Sequence, residues 1–99
     1  MTGYRYHPEA RAEYQAAIAW YRARSRDAAR GLANAVDEGL HSIRERPLAW
    51  PIWRGGPVRR RVLRRFPYSL FFSLNDNMVV ILAVAHHSRR PGYWVHRAK

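Results

Sequence analysis

The residues best equipped for chemistry in this chain are crowded into one stretch, His86-His87-Ser88-Arg89-Arg90-Pro91-Gly92-Tyr93-Trp94. Imidazole, hydroxyl, guanidinium and phenol together can donate hydrogen bonds, exchange protons and bind anions near neutral pH. The stretch follows eight apolar residues, Met78 to Ala85, rich in β-branched side chains. Such a run reads as a strand buried on both faces, which carries whatever follows it to the rim of a sheet. Taken singly, each residue also has a plain explanation: a histidine ending the strand, solvated arginines, and a turn at Pro91-Gly92. As a cluster they point to function at that rim.

The elements that must position the cluster can be read from patterning. Gly3 to His7 alternates as a short strand, and Pro8 suits the first position of a helix. Ala10, Tyr14, Ala17, Ile18 and Tyr21 recur at helical spacing, with Glu9 and Glu13 early and Arg22 and Arg24 late, matching the helix dipole. Ser25 is an N-cap candidate for a second amphipathic helix on Ala29, Leu32, Ala33, Val36, Leu40 and Ile43, which Pro47 stops. Gly39 within it is a weak spot or a point of close packing. Two helices so closely joined must form an antiparallel hairpin.

Residues 47–57 hold three prolines and two glycines and read as a loop. Its Trp50, Ile52 and Trp53 give it unusual apolar weight, and the tryptophans are expected to fold over the end of the core rather than contact a ligand. Val58 to Arg65 alternates imperfectly as a strand, with Arg59, Arg61 and Arg65 on one face and Arg60 and Arg64 on the other. Cations on both faces mark an edge strand, and charged edges discourage unwanted pairing. Tyr68, Leu70, Phe72 and Leu74 form the face of a third strand expected under the helices. Asn75-Asp76-Asn77 supplies the hairpin turn into Met78 to Ala85. The fold class that results is α+β in the order β-α-α-β-β-β, an antiparallel sheet packed against an N-terminal helical hairpin.

Composition limits what such a fold does. The 99 residues suit one domain spanning 1–99, with 47% apolar residues and no apolar run near the length of a membrane span. No secretory signal is legible, so a cytoplasmic protein without a membrane partner is expected. With no cysteine, disulfides and thiolate zinc sites are excluded. Adjacent His86 and His87 in an extended segment point to opposite faces, so no metal site is expected, nor any cofactor. Net charge is +11, and it is lopsided: residues 1–50 set eight arginines against six acids, while residues 51–99 set ten basic residues against Asp76 alone. The second half is therefore the cationic surface, suited to nucleic acid, an acidic protein segment or anionic lipid. Seventeen of the eighteen basic residues are arginine, whose planar fork favours defined contacts with carboxylate, phosphate and aromatic rings.

The chain resembles the RelE/ParE family of toxins from type II toxin–antitoxin modules across nearly its whole length. The resemblance is carried by Pro8-Glu9-Ala10, the helical hairpin ending at Pro47, the arginine-bearing Val58 to Leu63, Arg65-Phe66-Pro67-Tyr68, the Val80 to His86 strand and the His86 to Trp94 ending. It implies a small toxin neutralised by a cognate antitoxin whose C-terminal segment wraps the sheet and helices. The +9 half-chain fits an acidic, partly disordered antitoxin segment, and Trp50, Trp53, Tyr93 and Trp94 are residue types that anchor interfaces. Arg59, Arg61, Arg64, Arg65, Arg89, Arg90 and Trp94 are the residues expected to meet antitoxin or target.

The resemblance leaves two targets, since RelE-like members cut messenger RNA on the ribosome and ParE-like members poison DNA gyrase without known hydrolysis. Cleavage through a 2′-hydroxyl needs a base, a cation on the phosphate and an acid for the leaving oxygen. His86 or His87 as base, Arg61 and Arg89 on the phosphate, and Tyr93 or the second histidine as acid supply that inventory. Against it, RelE-type sites resemble lysine- and arginine-based ones, whereas the single lysine here is the terminal Lys99, expected to be too mobile for a fixed role. Arginine stabilises anions without shuttling protons. A ParE-like toxin, associated with plasmid stabilisation, is therefore favoured over an mRNA endonuclease, with no catalytic residue assigned. A non-toxic nucleic-acid-binding module is the third possibility.

Overall fold

A computed structural model describes residues 1–98. The elements are β1 (Gly3–Tyr6), α1 (Pro8–Arg22), α2 (Arg26–Glu45), β2 (Arg59–Val62), β3 (Tyr68–Asn75) and β4 (Met78–His86), with short 3-10 turns at Pro47–Ala49 and Val95–Ala98. Lys99 lies outside the described residues. Both helix starts are capped by side chains: His7 Nδ1 accepts from the Glu9 amide at 3.1 Å, and Ser25 Oγ from the Ala28 amide at 3.2 Å. Between β3 and β4 the chain turns through Asp76 and Asn77 at φ 48° and 63°, the left-handed pair that a two-residue hairpin needs.

The four strands lie in the order β1-β4-β3-β2, which puts the arginine-bearing β2 at an edge, as its two-faced charge requires. The sheet is mixed, and this corrects the expectation of a purely antiparallel one. β3 pairs antiparallel with both neighbours, but β1 runs parallel to β4, Gly3 opposite Met78 through Tyr6 opposite Ile81. Side-chain alternation has the same period in either kind of pair, so the polarity of a short strand is set only by where the hairpin returns the chain. β2 is also shorter than expected. It stops at Val62, and Arg64 and Arg65 lie in an exposed turn, Arg65 at φ 68°, closed by the Leu63 amide donating to the Tyr68 carbonyl at 3.0 Å.

β4 is buried on both faces. One face joins the main core beneath the helices, where Val79, Ile81 and Val84 meet Leu70 and Phe72 of β3 and Leu32, Val36 and Ile43 of α2. The other carries a second cluster in which Val80, Leu82, Ala83 and Ala85 pack with Phe71, Val58 and Trp94. Trp50 packs against the first core and Trp53 against the second, so these loop tryptophans do cover the sheet, whereas Ile52 is 53% exposed.

One irregularity in this sheet decides the aim of everything after it. Phe71 pairs with Ala83 and Phe72 with Ile81, which leaves Leu82 as an extra residue in β4. This β-bulge puts Leu82 and Ala83 on the same side and reverses the alternation beyond them. His86 therefore emerges on the helix side, edge-on to Tyr68 with ring centroids 5.0 Å apart, and His87 on the opposite side.

Candidate functional site

Beyond Ile81 the β1-facing edge of β4 has no strand partner, because β1 ends at Tyr6 and the His7 amide takes the Ile81 carbonyl at 2.8 Å. Side chains complete the edge. Glu13 of α1 accepts from the Val84 amide at 3.0 Å, and Arg97 donates to the Leu82 carbonyl at 3.0 Å. The two also pair with each other, Arg97 Nη1 to Glu13 Oε1 at 3.0 Å and Nη2 to Oε2 at 3.1 Å, and Tyr93 donates its hydroxyl to Glu13 Oε2 at 2.6 Å. His96 reaches Glu9 at 3.2 Å. The chain after β4 is thus anchored back on α1, and the loop from His86 to Gly92 is held at both ends.

That loop closes a cavity of about 120 Å³ on the sheet face away from the helices. Its wall includes the segment from Ala85 to His87 and that from Arg89 to Trp94, together with Arg60, Ser69, Phe71 and Trp53. A chain of polar contacts crosses its floor. Arg60 Nε donates to Ser69 Oγ at 3.1 Å, and Ser69 Oγ lies 2.9 Å from His87 Nε2. Since Arg60 can only donate, the Ser69 hydroxyl is free to donate onward, which makes His87 Nε2 an acceptor. Burial lowers the His87 pKa below its ordinary value, the Arg60 charge and His86 add to the effect, and a backbone hydrogen bond at Tyr68 opposes without reversing it. His87 is neutral at pH 7. A serine and an imidazole at this separation resemble a nucleophile and its base, but Ser69 is 1% exposed and receives Arg60, so its oxygen is a link in a donor chain.

On the helix side of the loop, His86 Nδ1 accepts from the Ser88 amide at 3.0 Å and lies 2.8 Å from Ser88 Oγ. An amide can only donate, so Nδ1 carries no proton and the neutral ring holds it on Nε2. His86 then offers a donor to its surroundings, where a base would need a lone pair. Tyr93 is no better placed as an acid. Its pKa is raised by burial and by its hydrogen bond to the Glu13 carboxylate, and Arg89 stacks on its ring at 3.9 Å.

The residues selected from sequence separate into three groups. His87, Arg89, Arg90, Tyr93 and Trp94 do line the cavity, whereas the ring of His86, at its rim, turns to the helix side against Tyr68. Trp94, however, is 1% exposed, stacked with Phe71 and Trp53 at centroid distances of 4.5 and 4.8 Å, so it is a core residue and cannot be a contact one. Arg59 and Arg61 stand elsewhere: Arg59 donates to the carbonyls of Leu48 and Trp50 at 3.2 and 2.7 Å, pinning the loop before β2. Arg61 is held by Ser42 Oγ at 3.1 Å, the Val62 carbonyl, Glu38 at 3.8 Å and the face of Trp50 at 4.6 Å. It is therefore engaged on the helix side and does not meet His87. Arg64 and Arg65 are exposed in the turn after β2 and do not line the cavity. The residues that sequence missed are Arg60, Ser69, Glu13 and Arg97. Glu13 had a legible signal, because a chain with seven acids among eighteen basic residues leaves each acid as a candidate anchor. Among the described residues, no group of three or more histidines and carboxylates is placed to hold a metal ion, and no helix is long and apolar enough to cross a membrane.

With this geometry in view, comparison with known proteins is informative. The family profile described as the ParE toxin of the type II toxin–antitoxin system parDE matches residues 4–91. The chain belongs to the ParE toxin family. No curated protein sequence matches it significantly. Among solved structures, a chain from the chromosomal ParDE toxin–antitoxin system of P. aeruginosa superposes with a TM-score of 0.75 at 19% identity, over 87% of this chain and 96% of that one. At that identity the likeness speaks for the fold. Membership of the ParE family makes the chain the toxin of a two-component system whose other component is an antitoxin.

Proposed function

We propose that this ParE-family toxin acts by inhibiting DNA gyrase without hydrolysis, and that its antitoxin neutralises it through an acidic, partly disordered segment. The single observation that supports a non-hydrolytic toxin most is the state of the proton carriers. His86 Nδ1 is taken by Ser88, His87 Nε2 by Ser69, and the Tyr93 hydroxyl by Glu13. Arg61, the cation an RNA-cleaving site would want beside them, is bound to Ser42 and Glu38 instead. A binding surface of donors and cations remains, without a base or an acid poised to move a proton. The partner's acidity is supported by the ten basic residues against one acid in residues 51–99. Action on gyrase places the toxin in the cytoplasm, and in a plasmid-borne module its consequence is plasmid stabilisation.

Inducible expression in bacteria with two readouts tests this. Gyrase-linked DNA breaks should accumulate while transcripts stay intact, and co-expression of the protein encoded by the adjacent gene should restore growth. His86→Ala should leave most of the toxicity. Truncated transcripts that vanish with His86→Ala would establish an mRNA endonuclease instead, and unimpaired growth on induction would leave only a nucleic-acid-binding module.

A further inference from the structure

We infer that the cavity behind the His86–Gly92 loop is a binding site for the 5′-phosphate of a nucleotide, a property that does not depend on which target the toxin attacks. Arg89, Arg90 and His87 of the loop, with Arg60 of β2, stand among its lining residues, the His86 ring being turned to the helix side, and no carboxylate lines it. Elsewhere Arg61, Arg97 and Arg30 are matched to Glu38, Glu13 and Asp27, and Arg59 and Arg44 to backbone carbonyls. Arg60 has a tether but no counter-charge among the described residues. Its Nε is fixed to the buried Ser69 hydroxyl, which in turn is held by His87, and its guanidinium carbon lies 5.9 Å from the Phe71 ring centroid. The two terminal nitrogens are left as an oriented fork, the geometry that takes two oxygens of a phosphate.

Size and walls narrow the ligand further. One water-sized sphere needs roughly 10–15 Å³ of such space, so about 120 Å³ admits the four oxygens of one phosphate with some water but excludes a whole nucleotide. The remainder of the ligand must lie across the mouth, where Trp53 stands with the exposed Arg54 guanidinium over its ring at 4.4 Å, and where Arg89 and Arg90 are exposed. Gly92, at φ 79°, keeps the loop close against Trp53, since a Cβ there would stand 3.1 Å from Cη2 of the indole. An aromatic ring beside a cationic pocket suits a base that takes the place of the exposed Arg54 side chain on the indole, next to its own phosphate, and stacking is tolerant of base identity. A carboxylate ligand would use the fork but not the surplus of cations, and it would leave the indole unused.

The test is an NMR titration of the full-length chain, following the Trp53 indole N–H with adenosine 5′-monophosphate, adenosine, inorganic phosphate and a short oligonucleotide with or without a 5′-phosphate. Saturable shifts are expected with the monophosphate and the 5′-phosphorylated oligonucleotide, weaker ones with inorganic phosphate, and none with adenosine. Comparison of the two phosphorylated ligands tells a free nucleotide from a nucleic-acid end. Arg60→Gln should weaken binding roughly ten- to hundred-fold, the loss of a charge-assisted pair. Arg60→Lys, which keeps the charge but not the fork, should also weaken it and guards against a folding defect in the first variant. Arg30→Gln, far from the cavity, should change affinity less than about twofold. Absence of a saturable shift, undiminished binding by the Arg60 variants, or equal weakening by Arg30→Gln would overturn the proposal, the last by showing diffuse attraction alone.

Discussion

Arg97 and Glu13 are 84 residues apart in sequence, and their side chains meet in an ion pair and a hydrogen bond that close the open edge of β4. Glu13 also takes the Val84 amide, and Arg97 the Leu82 carbonyl, so the pair stands where a longer β1 would have supplied backbone partners. Burial disfavours the Arg97 charge, but the hydrogen bond and charge of Glu13, with Glu9 and Tyr93, outweigh it and raise its pKa. Arg97 stays charged at any ordinary pH.

Removing one member of this pair should leave the other uncompensated. The Arg97 side chain is 6% exposed and that of Glu13 17%. Arg97→Ala is expected to destabilise the protein by about 3–5 kcal/mol in urea unfolding, and Glu13→Leu with Arg97→Met by much less, since an apolar replacement of both removes the desolvation penalty too. A loss below about 1 kcal/mol for Arg97→Ala would mean the pair behaves like a solvated surface bridge.

His87 gives stability a dependence on acid. Its folded pKa lies below the ordinary 6.5, so the unfolded chain takes up this proton first as pH falls. Stability is therefore intact above about 6.5, declines as pH drops from there toward the lowered folded value, and levels below it. The slope this residue contributes is shallow, because His87 is partly open to solvent, which screens the effect. His87→Gln, which keeps an acceptor for Ser69, should flatten that part of the profile. An unchanged acid slope in the variant would show that other groups carry it.

At alkaline pH the sign reverses. Tyr6 and Tyr93 both have raised pKa values, in each case chiefly through burial, so the folded protein keeps these phenolic protons beyond the ordinary value of 10.0. Their contribution is complete below that value and is lost as pH rises through it toward the folded ones. Burial raises Tyr14 and Tyr68 as well, so a spectrophotometric titration should find four of the six tyrosines delayed, Tyr6 and Tyr93 among them. Tyr93→Phe should remove one of the delayed transitions, and a native-state titration of all six near the ordinary value would contradict this assignment.

Gly39 is a close-packing point. A Cβ there would come within 2.8 Å of Leu63 and 3.2 Å of Leu70, both buried in the main core. Helix propensity alone would favour Gly39→Ala by about 1 kcal/mol, whereas overpacking a core costs about 1–3 kcal/mol. A net loss is expected, relieved by Leu63→Val. A gain in melting temperature for Gly39→Ala alone would show that Leu63 yields without strain.

Periodicity and turn chemistry by themselves determined the two capped helices, the edge position of β2, the Asp76-Asn77 turn, the doubly buried β4 and the tryptophans over the core. These are local properties: an apolar stripe, a proline or an Asx residue acts within a few positions of itself. The grouping of His87, Arg89 and Arg90 was legible for the same reason, because they are neighbours in one loop. Tertiary structure alone decided the parallel pairing of β1 and the extra residue at Leu82 that sends His86 and His87 to opposite faces. It also decided which arginines meet partners. Arg60 and Arg61 are adjacent and chemically alike in sequence, yet one ends beside Ser69 in the cavity and the other beside Glu38 under the helices. A guanidinium has no local preference between such neighbours, and its partner is fixed only when distant elements are brought together, as α1 and the last residues are at Glu13 and Arg97.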